Sequence, residues 1–445
     1  MSASEDHVPA ALGLVTDLIA NDRAVAAWAA SGGMWLTGAP AGPPHPHGAG
    51  AGALARASLE VVAGLAEART GRRPHLPTAT LLGERAAIAS LHRNAPWSAG
   101  GATRTVRGAD RWWALTLSRA SDVETIAALV EGPSGPDPWT TVDEWAATVP
   151  AVEAVDRAQL LGLPAAVVPD RPDETDDQRD QRGPNAVIVT RGGRRGSPAR
   201  PLVVDFTALW AGPLCSALLG AAGCEVVKVE SARRLDGARL GPSLFYDLLH
   251  AGHRSITLDF TDADDRARLR SLIDRADVVL EASRPRALEH LGINAHEVVQ
   301  AGTIWVSITA YGRTGPWANR AGFGDDAALA GGLHTVVDGR PAPCADAVAD
   351  PLTGVYAAAA ASGALGADHA ALLDVSMRDV AAVAAGVVVP SCAVDGSEAD
   401  GWWVECDGGR VEVARPVHRI PRARAARPGA DNVAILGTDR RGAAC

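Results

Sequence analysis

Between Pro201 and Ile308 short β-branched runs alternate with helical patterns, and this alternation leaves few folds open to the chain. Leu202-Val203-Val204-Asp205-Phe206 leads through a Gly212-Pro213 turn into a helix ending near Gly223. Glu225-Val226-Val227-Lys228-Val229 and Ser255-Ile256-Thr257-Leu258 follow, then a charged amphipathic helix from about Asp262, Asp277-Val278-Val279-Leu280-Glu281, a last helix and Ile304-Trp305-Val306-Ser307-Ile308. Parallel strands need a crossover, which the intervening helices supply. The region is read as α/β, an open parallel sheet with Rossmann-like βαβ units, accompanied by a smaller α/β domain. The first turn, Trp210-Ala211-Gly212-Pro213-Leu214, lacks the GxGxxG spacing that brings backbone against a pyrophosphate, although Glu230 stands where a ribose-binding acid would. Gly212 and Gly223 are read as helix start and helix stop.

A chain of 445 residues has room for two or three domains. Its 42 basic residues are outnumbered by 52 acidic ones and are scattered, which argues against nucleic acid as a partner. Cys215, Cys224, Cys344, Cys392, Cys406 and Cys445 form no CxxC pair and have no histidines at ligand spacing, so they are read as reduced thiols and no metal is expected. The polar, slightly acidic start does not resemble an export signal, and the Ala-rich runs read as packed helices rather than membrane spans; a cytoplasmic protein is expected. Gly192-Gly193-Arg194-Arg195-Gly196-Ser197-Pro198, after the acidic stretch from Asp170 to Arg182, has the composition of a linker. Two spans also echo one another. Ala29-Ala30-Ser31-Gly32-Gly33-Met34-Trp35-Leu36-Thr37-Gly38 is similar to Ala330-Gly331-Gly332-Leu333-His334-Thr335-Val336-Val337, and an Ala-rich helix follows each.

Val204-Asp205-Phe206-Thr207 through Ala211-Gly212-Pro213, Leu218-Leu219-Gly220 and Val226-Val227-Lys228-Val229-Glu230 resemble the opening signature of the class III CoA-transferases. His253-Arg254-Ser255-Ile256-Thr257-Leu258-Asp259, Ala276 to Glu281, Arg284-Pro285, Leu291-Gly292, Ser307 to Gly312, Thr314-Gly315-Pro316 and Ala349-Asp350 continue the likeness in order. Upstream, Arg69 to Arg72, the stretch around Thr80, Gly100-Gly101 and Asp110 to Leu115 resemble the family's later portion. The resemblance implies a rearranged or partial-tandem member. Residues 1–93 would be a degenerate helical segment like the family's post-catalytic region, 94–185 the small domain and 186–200 a linker. Residues 201–385 would be the Rossmann-like domain, with 386–445 a tail packing on it.

The family's aspartate attacks an acyl-CoA thioester to give an acyl-aspartyl anhydride; CoA thiolate then returns to form an aspartyl-CoA thioester that an acceptor carboxylate resolves. The resemblance places Asp350 in that role, and a helix N-cap is the alternative reading of the same residue. The first copy has glycines, Gly48, Gly50 and Gly52, at the equivalent place, so one site per chain is expected, with walls rather than chemistry from the N-terminal half. The glycine-rich loop that covers the family's intermediates has its counterpart in Ser98, Ala99, Gly100 and Gly101, for which an ordinary hairpin turn is the competing reading.

Coenzyme A is implied as co-substrate, held around Leu209, Trp210, Ser231, Arg254, Ala282, Ser283, Arg284, His290 and Leu291. Ser231, Ala282 and His290 stand where relatives have Arg, Asn and Arg; Arg233, Arg234, Arg254 and Arg284 are the candidate replacements, or ordinary surface arginines. Trp210 replaces the glutamine of the oxalate-handling enzymes and points away from formyl or oxalyl transfer. Phe323 replaces the histidine of the 2-methylacyl-CoA racemases, leaving two-base proton exchange without a partner. The first reading is therefore CoA transfer from an acyl-CoA to a carboxylic acid by a homodimer, with no membrane or nucleic-acid partner. The alternatives are an acyl-CoA racemase or isomerase, and a retired acyl-CoA-binding paralogue or partner subunit.

Overall fold

The computed structural model describes residues 7–20, 23–170, 186–284, 286–406 and 409–437. Seven strands form its principal sheet: β1 (Val187–Arg194), β2 (Leu202–Asp205), β3 (Glu225–Ser231), β4 (Arg254–Leu258), β5 (Val278–Glu281), β6 (Ile304–Thr309) and β7 (His369–Ser376). Their spatial order is β1-β7-β6-β5-β2-β3-β4. All neighbours are parallel except β1, which runs antiparallel along β7. The five strands read from the sequence are all present. Their apolar runs are continuous because both faces are covered. Val203, Val278, Leu280 and Val306 enter one core with the Ala211–Ala221 and Ala349–Leu365 helices, whereas Val204, Val279 and Trp305 enter the other with Leu269, Leu272 and Val299.

The start of the expected linker behaves differently from its composition. Val187-Ile188-Val189-Thr190 is a β-branched run, and through Arg194 it pairs with β7 as the sheet's edge strand. The arginine and glycine pattern that follows masked that signal. Most of the acidic stretch from Asp170 to Arg182, together with Pro285 and Cys445, lies outside the described residues. The six-thiol expectation is also corrected. Cys392 and Cys406 are disulfide-bonded, while Cys215, Cys224 and Cys344 are buried and free. Separation along the chain concealed the pair; the hairpin pairing Ala393 with Glu405 places the two cysteines side by side.

Residues 103–167 form a second unit. Thr103–Arg107, Trp112–Thr116 and Ala165–Val167 make an antiparallel sheet, and the Pro138–Ala146 and Ala151–Leu160 helices enclose a separate core around Trp113. The N-terminal helices instead join the core of the large sheet: Trp28, Met34, Leu54 and Leu82 are fully buried there beside the Ala349–Leu365 helix. The 22-residue Ala49–Thr70 helix is long and apolar enough to cross a bilayer, but most of its surface is taken by these contacts. Beyond the principal domain, the Ala393–Ser397, Gly401–Cys406 and Gly409–Val413 strands form a small sheet joined to the N-terminal helices through Ala414 N–H to Ala29 O, 2.9 Å. The chain then runs on as a strap. Arg419 holds Glu84, Ala425 N–H meets Asp247, and Asp431 and Asn432 occupy the backbone groups at the exposed edge of β4.

The echo in sequence is an echo in structure. Helices begin at Ala24 and Gly324, and again at Ala49 and Ala349, with Gly32 and Gly332 both at φ +80° between them. The copies clasp each other: His45 bonds Thr335 at 2.7 Å, and Ala345 N–H donates to Thr37 at 3.0 Å. In this pairing Gly50 stands where Asp350 stands. A Cβ on Gly50 would lie 2.0 Å from the Ala384 carbonyl oxygen, so the place of the second carboxylate is filled by backbone. We expect Gly50→Ala to lower stability by about 3 kcal/mol through overpacking. Gly64→Ala in the same helix, with no neighbour within 4 Å of its added carbon, should raise it by about 0.5 to 1 kcal/mol. Urea midpoints of the two variants check this.

Candidate functional site

The strand order reverses between β2 and β5: β3 and β4 extend one way from β2, and β6 and β7 extend the other way from β5. In open α/β sheets the crevice at such a point, beyond the carboxyl ends of the strands, is where ligands bind. Here the chain leaving β2 carries Leu209 and Trp210, and the chain leaving β5 carries Ala282, Ser283 and Arg284. Leu209 is exposed and held at φ +70°, a conformation costly for a branched side chain, with its N–H tied to Asp236 at 3.0 Å. Beneath the crevice several buried polar groups pair with one another. Asp205 accepts from Thr207 and Ser216, Lys228 bonds Thr207 O and Asp236, and Glu281 binds Arg313, Trp305 and Ser307.

Asp350 lies in the first turn of the Ala349–Leu365 helix, whose N-cap is Val348. It is therefore not the capping residue. Its carboxylate accepts the N–H of Gly324, and the close approach requires glycine: a Cβ there would lie 2.5 Å from Asp350 Oδ2. Asp346, fully buried, and Asp325, also buried, are its acidic neighbours. Asp325 accepts from Ala347 N–H at 2.9 Å and from the Ser98 hydroxyl. Asp346 sits between Ala345 at φ +53° and Ala347 at φ +44°, two left-handed alanines that the bonds to Thr37 and Asp325 keep in place.

Among the described residues one cation, Arg85, serves these carboxylates. Arg85, from the N-terminal half, gives its planar fork to Asp346, with Nε to Oδ2 at 2.8 Å, and its guanidinium lies 5.3 Å from the Trp210 ring centre. Asp350 feels the charge but has no ion pair of its own among the described residues. Burial, opposed by Arg85 and reinforced by Asp325 and Asp346, pushes Asp350 up to about 7; burial and Asp346 likewise push Asp325 to about 6. The arrangement holds a carboxylate at the edge of ionisation near neutral pH, without committing it to a structural bridge.

The expected loop belongs to the same place. Ser98 is buried against Asp325, and Gly100 lies beside Arg85 and Asp346. The four residues form a tight turn, with Gly101 N–H to Ser98 O at 2.8 Å and Gly101 at φ +76°, the geometry of the hairpin reading. Other candidates are spread more widely. Ser231 ends β3 beside the crevice. Arg254, in contrast, begins β4 at the amino ends of the strands, away from the crevice, paired with Glu225 at 3.0 Å and near Asp431. His290 is exposed after the short Arg286–Glu289 helix, and Leu291 packs against the second core. Phe323 precedes the Gly324–Ala330 helix and brings no titratable group. Arg85, Asp325 and Asp346 were not singled out in the sequence. Asp346 carries one signal, its place four residues before Asp350; Arg85 lies 261 positions from its partner.

Residues 201–398 match CoA-transferase family III. Over 184 residues the chain is 33% identical to the succinyl-CoA–D-citramalate CoA-transferase of Chloroflexus aurantiacus, covering 38% of this chain and 46% of that one. Over 161 residues it is 37% identical to a probable fatty acyl-CoA transferase of Mycobacterium tuberculosis, covering 33% and 40%. A crystal structure of an M. tuberculosis protein shares 31% identity, with a TM-score of 0.42 over 48% of this chain and 64% of that one. The chain spans less than half the length of the curated relatives it matches most significantly.

Two measurements test the electrostatics of the site. Arg85→Ala leaves the buried Asp346 without its cation. The penalty is discounted because Arg85 keeps 34% exposure, and a loss of about 2 kcal/mol in chemical denaturation is expected. Between pH 3.8 and about 7 the folded state holds a proton on Asp350 that the unfolded chain has released. Its contribution therefore makes stability fall as pH rises through that window. Asp350→Asn should flatten the decline in melting temperature; an unchanged profile would show that Asp350 titrates at its ordinary value.

Proposed function

We propose that this chain, whose residues 201–398 match CoA-transferase family III, transfers CoA from an acyl-CoA to a carboxylic acid through covalent intermediates on Asp350. The observation that carries the reading is the convergence of Asp350, Arg85, Trp210 and the Ser98–Gly101 turn, drawn from both halves of one chain, beside the reversal point of a parallel sheet.

A carboxylate is a modest nucleophile, so catalysis depends on holding it against the thioester carbonyl and on donors for the oxyanion. Asp350 attacks the thioester, the carbon–sulfur bond breaks, and CoA leaves as its thiolate from an acyl-aspartyl anhydride. The thiolate then attacks the aspartyl carbonyl and releases the donor acid, giving an aspartyl-CoA thioester. The acceptor carboxylate opens that thioester to a second anhydride, from which returning CoA releases product and restores Asp350. Arg85 favours the ionised form of Asp350, while the backbone of the Ser98–Gly101 turn limits the access of water to the anhydrides. CoA lies in this reading along the carboxyl ends of β2, β3 and β5, by Leu209, Ser231, Ser283 and Arg284. Both halves of the site come from one polypeptide. A homodimer, the assembly that the family resemblance implies, would leave it as complete as it is in a single chain; light scattering distinguishes the two states.

Incubation with a panel of acyl-CoAs followed by hydroxylamine should convert Asp350 to its hydroxamate, read by peptide mass spectrometry, and Asp350→Asn should abolish both the label and turnover. Activity should rise with pH along a limb centred near 7, which Arg85→Gln moves upward. An unlabelled Asp350 across the panel overturns the covalent route, and α-deuterium exchange without an acceptor acid would assign racemisation instead.

A further inference from the structure

A second group of cations lies at the other end of the strand that leaves the Ser98–Gly101 turn. Thr103 begins this strand beside Ser98, and Arg107 ends it, four residues or about 13 Å away. A cleft of about 480 Å³ opens there, lined by Arg107, Trp112, Asp143 and Arg340, with the 108–109 backbone as its floor. Arg107 and Arg340 lie against the same indole, their guanidinium carbons 5.5 and 5.4 Å from the Trp112 ring centre.

Neither arginine has a carboxylate partner among the described residues. Arg107 donates to the Asp110 carbonyl oxygen at 3.1 Å. Arg340, half-buried, donates through Nε to Thr105 Oγ1 at 3.1 Å and through Nη2 to Thr105 O, which leaves the Nη1 edge unused. The one acid in the cleft, Asp143, is already bound by Arg104 at 2.7 Å, and Arg104 is itself packed between Trp97 and Trp139. The cleft is thus lined by two guanidinium groups and one carboxylate, and that carboxylate is already paired with Arg104. Arg340 is correspondingly destabilised as a cation by burial and by Arg104.

We propose that Arg107 and Arg340 form a binding site for a phosphate group, separate from the carboxylate cluster around Asp350. Two guanidinium forks fixed by one aromatic ring suit a multiply charged oxyanion, because their donors are planar, permanently charged and already oriented. The indole is occupied by the two cations, so it positions the forks rather than stacking on the ligand. The phosphate is either a free anion or the 3′-phosphate at the end of a bound CoA.

Calorimetric titration of the full chain with inorganic phosphate at low ionic strength tests the site. Saturable binding is expected, weakened at least about tenfold by Arg107→Ala, an exposed position, and by Arg340→Lys, which keeps the charge and loses the fork. Asp350→Asn should leave it unchanged, so failure here is separable from failure of the proposed catalysis. Absent binding, or binding indifferent to both arginine variants, overturns the proposal. Comparing CoA with 3′-dephospho-CoA identifies the source: an Arg107→Ala penalty on CoA that 3′-dephospho-CoA does not share assigns the 3′-phosphate, and a penalty on inorganic phosphate that neither form of CoA shows assigns a free anion.

Discussion

The fork between Arg85 and Asp346 is the contact on which the rest of the site depends. Three carboxylates, Asp325, Asp346 and Asp350, are gathered at the start of two helices in a largely buried setting, where like charges oppose one another and ionisation is disfavoured. One cation makes that gathering tolerable. Because its donors are spent on Asp346, Asp350 receives the charge's field without being locked into a pair. The division of labour separates a structural acid from an available one.

The cation is positioned by parts of the chain remote from the sheet. Glu84, the residue before Arg85, is held by Arg419 of the C-terminal strap, and Trp210 on the sheet's first turn supplies the surface on which the guanidinium lies. Thr37 and Asp325 hold the left-handed alanines around Asp346. The N-terminal half, the sheet and the strap therefore meet at a few polar atoms.

The duplicated helical pairs differ at their helix starts, yet the first is not dispensable to the packing. The first copy buries Trp28, Met34 and Leu54 against the Ala349–Leu365 helix, and it supplies the hydroxyl of Thr37 to the second. Its own equivalent of Asp350 is a glycine pressed against the Ala384 carbonyl. Packing has taken the space that chemistry would need. The copies share a backbone design while differing in what can approach its helix start.

The sequence by itself determined the parallel sheet, since alternation of β-branched runs with helices admits few other arrangements, and it marked Asp350, Trp210 and the Ser98–Gly101 turn through ordered motifs. It could not join Arg85 to Asp346, because nothing local records a contact across 261 positions, nor pair Cys392 with Cys406 before the hairpin register was known. It also could not distinguish Arg254 from the arginines near the crevice. A residue at the start of a parallel strand and one at its end look alike in a sequence, yet they lie at opposite ends of the sheet's strands. Tertiary structure decided these matters because electrostatics and packing depend on distance in space, whereas motifs report only distance along the chain.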